Sequence, residues 1–182
     1  VRAPLMPDYD AVRAGFSWDV ARGWLAGQPG GGRNIAVEAV DRHLSGDRAD
    51  RVALRFLGSA ADDAPQLDRE LTYRELAAET SRFARALDAL GVKVGERVFV
   101  LMGRQPELYV ALLGTLKHRS VFCPLFSAFG PEPVRQRLER GDGAVLVTTP
   151  QLYRKKVAAI RDQLPGLRHV LHLARADLEL DR

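Results

Sequence analysis

Residues 97–149 leave this chain few choices of fold. Apolar runs at 97–102, 121–126 and 144–147 are separated by two helical patterns, and each of those opens at a proline, Pro106 and Pro131. Proline lacks the N–H that a first helical turn leaves unused, and its φ is already helical, so it suits a helix start. Short apolar strands alternating with helices across short connections imply right-handed crossovers between parallel strands. The expected fold is therefore α/β, an open, mostly parallel sheet with helices on both faces. Such sheets bind ligands beyond the C-terminal ends of their strands. That edge corresponds to residues 103–105, 127–130 and 148–153.

The flanking sequence divides into an N-terminal arm, residues 1–33, and an α/β unit, residues 34–182. The arm reads as irregular, rich in Pro and Gly, and carries Phe16, Trp18 and Trp24, which are expected to pack on the body. Asn34 is a candidate N-cap for a helix running to Gly46, with Ala36, Ala39, Val40 and His43 at helical spacing. Residues 51–57 and 70–72 read as two strands around a polar turn at 59–69. Thr72 and Glu75 form a capping box, which starts a helix with an apolar stripe at Leu76, Thr80, Phe83, Leu87 and Leu90. Gly91 ends it.

Within the central block, the leucines after Pro106 predict a deeply packed helix, and 121–126 predicts a strand covered on both faces. Val134 and Leu138 should face inward. Thr149-Pro150 is an N-cap and N1 pair, followed by Tyr153, Val157, Ile160 and Leu164 at helical spacing, and 169–173 reads as a last short strand.

Composition narrows the function classes. The 27 basic residues are interleaved with 23 acidic ones, so the net charge of +4 leaves no basic block of the kind that grips nucleic acid. No apolar run approaches the ~20 residues of a membrane helix. Residues 1–16 lack the apolar core of a signal peptide, so the expected location is the cytoplasm. The one cysteine, Cys123, sits in an apolar strand and is expected to be a buried, inert thiol.

Several candidate sites fall short of a complete motif. Residues 27–34 have the glycine spacing of a P-loop, but Arg33 and Asn34 replace Lys and Ser/Thr and no strand precedes them, so a flexible linker is expected. His169 and His172 would point to opposite faces of a strand, which disfavours a shared metal. Ser127 lies after a strand but lacks the flanking glycines of a nucleophile elbow. Arg154, Lys155 and Lys156 form a compact basic cluster near a helix start at the expected ligand edge. They are the best anion-site candidate in the chain, set against a solvated helix face.

An ordered set of segments resembles the amino-terminal portion of the AMP-forming acyl-CoA synthetases, acetyl-CoA synthetase-like members in particular. The set comprises the aromatic arm, residues 34–43, 71–76 and 95–98, Pro106-Glu107, and 129–132 leading to 145–149. The resemblance runs the length of the chain. It implies the first subdomain of the adenylate-forming ligase N-terminal domain. In that family a carboxylate and ATP, with Mg2+, form an acyl-adenylate, and the CoA thiolate then displaces AMP. The family's phosphate loop, metal-side acid, ribose aspartate and catalytic lysine have no counterpart in these residues, so no catalytic residue and no metal ligand is expected here. The chain opens on Val1 and reads as a fragment of a larger ligase, inactive in adenylation by itself.

The resemblance also implies a CoA contact. A family arginine after the strand ending near Thr149 falls on Arg154. A second family arginine falls on Val157, a departure that would leave Lys155 or Lys156 to substitute. Phe129 matches an aromatic flanking the pantetheine channel. The rival readings are a free-standing CoA- or nucleotide-binding module and a non-catalytic interaction protein. An exposed sheet edge is expected to favour self-association in either case.

Overall fold

The computed structural model describes residues 8–28, 30–57, 69–173 and 178–181. The chain runs α1 (Tyr9–Gly15), α2 (Trp18–Gly23), α3 (Ile35–Ala39), β1 (Val52–Phe56), β2 (Arg69–Thr72), α4 (Tyr73–Ala89), β3 (Arg97–Leu101), α5 (Pro106–Lys117), β4 (Val121–Leu125), α6 (Pro131–Arg140), β5 (Gly143–Thr148), α7 (Pro150–Lys156), β6 (His169–Leu173) and β7 (Leu178–Asp181). Short 3-10 segments follow α3 at Asp41–His43 and α7 at Ala158–Gln163. β1 and β2 form an antiparallel pair, and the main sheet has the order β4-β3-β5-β6-β7. Its first four strands are parallel and β7 runs antiparallel to β6.

Alternation along the strands builds two cores. Val98, Val100, Val145, Val147 and Leu171 face α4 and α5, where Phe83, Leu87 and Ala111 meet them. Phe99, Leu101, Leu146 and Val170 face the other way, onto Val134, Leu138, Val157, Ile160 and Leu164. β5 is buried along its whole length because strands lie on both sides and helices on both faces. Each of its buried valines and Leu146 contributes about 1.5–3 kcal/mol of transfer free energy.

The capping box at Thr72 and Glu75 forms as expected: the Thr72 hydroxyl accepts from the Glu75 amide and the Glu75 carboxylate accepts from the Thr72 amide. Asn34 caps α3, but the helix stops at Ala39 rather than continuing to Gly46. Val40 leaves helical geometry and is buried against Leu71, Leu76 and Ala77, while Asp41 turns to the Lys117 ammonium at 2.6 Å. Burial and pairing outweigh the local helical pattern there.

Other expectations are corrected. In α5 the fully buried face is Pro106, Ala111, Gly114 and Thr115, and the leucines are half-buried. A Cβ on Gly114 would stand 2.7 Å from the Phe83 ring and 2.8 Å from the Thr80 carbonyl, so the glycine sets how closely α4 and α5 approach. β4 is a partly exposed edge strand, not a strand covered on both sides. Pro124 removes one ladder donor from it, which an edge position tolerates. The helix after Thr149 ends at Lys156 and tightens to 3-10, although Val157, Ile160 and Leu164 stay buried at their expected spacing. The arm, expected to be irregular, forms α1 and α2 because Asp8 and Ser17 cap them, and Phe16, Trp18 and Trp24 do not pack on the body; they are 46%, 72% and 61% exposed. Most of the polar turn expected at 59–69 lies outside the described residues.

Candidate functional site

The strand-end edge is assembled from the loops after β3, β4 and β5. The Thr148 hydroxyl donates to the Leu101 carbonyl at 2.7 Å and locks the ends of β5 and β3 together. Thr149 then caps α7 by accepting from the Leu152 amide at 3.2 Å. This places α7 beside the loop that follows β4.

Lys156 reaches back to that loop. Its half-buried ammonium donates to the carbonyls of Ser127 at 2.5 Å and Phe129 at 2.7 Å. The Phe129 ring meets Phe126 edge-on at 5.6 Å, and the Arg137 guanidinium lies over it at 4.1 Å from the centroid. A cation over an aromatic face at an exposed site contributes about 0.5–1 kcal/mol. Lys156 and Phe129 are thus brought together, with Lys156 holding the backbone beside the aromatic. Sequence reasoning missed Arg137, because only the fold brings a helix α6 cation onto a loop eight residues earlier.

Arg154 and Lys155 are different. Both are exposed and have no ion-pair partner among the described residues. They occupy the last turn of α7, not its start, where the helix dipole already favours cations. Of the three expected anion-binding cations, two are free to meet a phosphate and one is committed to main-chain carbonyls.

At the N-terminus of α6, Glu132 is held at a pKa of about 2 by the Arg135 guanidinium and then by Gln136. Arg135 also pairs with Glu139, so this acidic start is neutralised within its own helix.

The remaining candidates resolve into structural roles. The Cys123 thiol is half-buried and its pKa is pushed up by desolvation, as an inert thiol requires. Ser127 contributes its carbonyl to Lys156. His172 stands edge-on to Tyr153 at 4.8 Å. Among the described residues no three His, Cys, Asp or Glu side chains gather as a metal site. In the glycine segment, the amides of Ala26 and Gly27 donate to the Glu38 carboxylate at 3.0 and 2.7 Å. Those bonds, with Arg42, hold Glu38 below the usual carboxylate range, so the first amide of the loop and the one before it already carry an internal anion.

A hydrogen-bonded row that the sequence did not announce joins Asp88, His118 and Ser120. His118 Nε2 lies 3.2 Å from Asp88 and Nδ1 2.6 Å from the Ser120 hydroxyl. Ser120 is only 5% exposed and sits at the start of β4, away from the ligand edge. The row clamps the turn at Arg119, which has a positive φ of 67°. A depression of about 220 Å³ beside Asp142, Gly143, Gln163 and Gly166 also lies at the opposite end of the sheet, where β5 and β6 begin.

Comparison with known proteins decides what this scaffold belongs to. The family model for AMP-binding enzymes matches residues 41–181. The chain belongs to the AMP-binding enzyme family. Among family relatives, the acetyl-coenzyme A synthetase of Bacillus subtilis (strain 168) is 35% identical over 166 residues, covering 91% of this chain and 27% of that protein. That of Halorhodospira halophila is 37% identical over 134 residues, covering 74% and 20%. The crystal structure of a Brucella canis acyl-CoA synthetase superposes with a TM-score of 0.76 at 30% identity, covering 96% of this chain and 30% of that one. An anthranilate CoA ligase in complex with anthranoyl-AMP superposes at 0.65 with 25% identity, over 78% and 25% of the two chains. The chain thus spans between 20% and 27% of the two curated relatives. Family membership gives no support to the rival readings of an independent binding module or an interaction protein.

Proposed function

We propose that this chain forms the amino-terminal scaffold of an AMP-forming acyl-CoA ligase of acetyl-CoA synthetase type. Such a ligase joins a carboxylate and CoA at the expense of ATP, releasing AMP and pyrophosphate. The observation that carries this reading is the 35% identity to a curated acetyl-coenzyme A synthetase over 91% of the chain. The division into an arm, 1–33, and an α/β unit, 34–182, belongs to the same reading.

In this proposal the chain contributes a wall of the CoA path. Arg154 and Lys155 offer exposed cations to the phosphates of the CoA nucleotide. Phe129 lines the passage, and Lys156 with Arg137 positions it. ATP and Mg2+ are assigned to no residue here. No described helix is long and apolar enough to cross a membrane, and we place the ligase in the cytoplasm. Self-association would use the β7 edge, because Pro124 interrupts the donors of β4.

ATP–pyrophosphate exchange with acetate tests the reading. The 182-residue chain should give no exchange above background. The same chain, joined in frame to the rest of the Bacillus subtilis relative in place of its matched region, should give exchange. Exchange by the chain alone, or a folded joined protein without exchange, would contradict it.

A further inference from the structure

The arm carries a surface that the candidate site does not use. Among the described residues, seven of the fifteen exposed large hydrophobics lie in the arm, and Ile35 adjoins it. Tyr9 is 64% exposed, Trp18 72%, Trp24 61% and Ile35 71%. Apolar exposure this concentrated marks an interaction surface rather than scattered surface residues.

The arm is nevertheless built to hold a shape. Asp8 caps α1 by accepting from the Ala11 amide at 3.0 Å, and Ser17 caps α2 by accepting from the Val20 amide at 3.2 Å. Neither helix buries a single residue. Helices of 7 and 6 residues are far too short to be stable alone in water and draw their stability from packing. The arm is tied to the body mainly by polar bonds: Glu38 accepts from Ala26 and Gly27, and Arg42 donates to the Trp24 carbonyl at 3.1 Å. Such bonds fix its root and leave its aromatic face open.

We infer that this face docks onto an apolar surface supplied by the remaining polypeptide of an adenylate-forming ligase. The inference rests on the proposed function. Two observations select that occupant. The Brucella structure matches 96% of this chain with only 30% of its own length, so in that protein this fold is embedded in more than twice as much further chain. The arm's charges also alternate, with Asp10 and Asp19 against Arg13 and Arg22, so no net field draws in a membrane or a nucleic acid. Docking is driven by apolar burial and is correspondingly insensitive to salt.

Trp18 and Trp24 are the only two tryptophans, so tryptophan emission from the 182-residue chain reports the arm alone. In that chain we expect acrylamide quenching close to that of free tryptophan, whether it is monomeric or paired through its β7 edge. In the joined protein described above, hydrogen exchange of peptides within residues 8–28 should slow by about tenfold or more. W18D/W24D should remove that protection while leaving the melting temperature of the 182-residue chain unchanged. Arm peptides that exchange equally fast in both proteins overturn the inference. So does a self-associated 182-residue chain whose arm is protected until W18D/W24D disperses it, which would make a second copy the occupant. Low quenching in the 182-residue chain overturns it as well. Pyrophosphate exchange is scored separately. An active joined protein with an unprotected arm refutes docking alone, and a protected arm without exchange refutes the ligase reading alone.

Discussion

Lys156 donates to the main-chain carbonyl of Phe129 at 2.7 Å, across 27 residues of sequence. The same ammonium holds Ser127, so one cation fixes the loop that carries the aromatic of the candidate CoA path. Lys156→Ala should destabilise the chain by about 1.5–3 kcal/mol in urea, the range for hydrogen bonds to a charged group. Lys156→Met keeps the aliphatic stem and should recover only the packing part of that loss. Unchanged urea midpoints would show that the two bonds contribute nothing.

Arg154 and Lys155 should behave oppositely. Exposed and unpaired among the described residues, they can be removed together at a cost under about 1 kcal/mol. If they meet CoA phosphates, R154A/K155A in the joined protein should weaken CoA binding by about tenfold or more, the effect of losing one or two charge-assisted bonds. Calorimetry reads this directly, and equal affinity would remove both residues from the site.

Gly114 predicts a steric effect. Gly114→Ala places a methyl group against Phe83 and the Thr80 carbonyl, both fixed by α4. The cost should be about 1–3 kcal/mol by chemical denaturation. Adding Phe83→Leu should yield less than the summed losses of the two single changes, because the second change makes room for the first. Additive losses would argue against that contact.

Glu96 gives a pH dependence. Arg168 binds it through both oxygens, at 2.9 and 2.7 Å, and with the Lys93 amide holds its pKa at about 2, below the ordinary value of 4.5. A folded-state pKa below the unfolded one means that the stabilisation is complete above about 4.5. It is lost as pH falls from there through about 2. The stability difference between the wild type and Glu96→Gln should therefore shrink across that window and stay flat between pH 6 and 8 (roughly the range of maximal stability). A difference that stayed constant down to pH 2 would show that the pair does not shift Glu96.

The elements of the sheet were legible because their determinants are local. Pro106, Pro131 and Pro150 open helices, Thr72 and Glu75 close a capping box, and apolar alternation marks β3 and β5. The family resemblance was legible as well, since it depends on the order of short segments. The candidate site was legible only in part: Phe129 and the three cations could be named, but their roles could not.

What separates those roles is long-range. Lys156 turns inward because the β4–α6 loop presents two carbonyls to it, whereas Arg154 and Lys155, its neighbours in the same turn, meet only solvent. The apolar run at 121–126 is the same on paper whether it lies inside a sheet or at its edge. Strand order alone put β4 outside, and it brought 178–181, beyond the last strand expected, against β6. The aromatic arm carries the residues of a packed segment, yet no surface among the described residues covers it. The sequence by itself determined the helices α4 to α6, the strands β1 to β6 and the family, because caps, prolines and periodicity act within a few residues. Tertiary structure alone decided which strand became an edge, which cation became a fastener and which hydrophobic face stayed open, because burial depends on what distant segments leave uncovered.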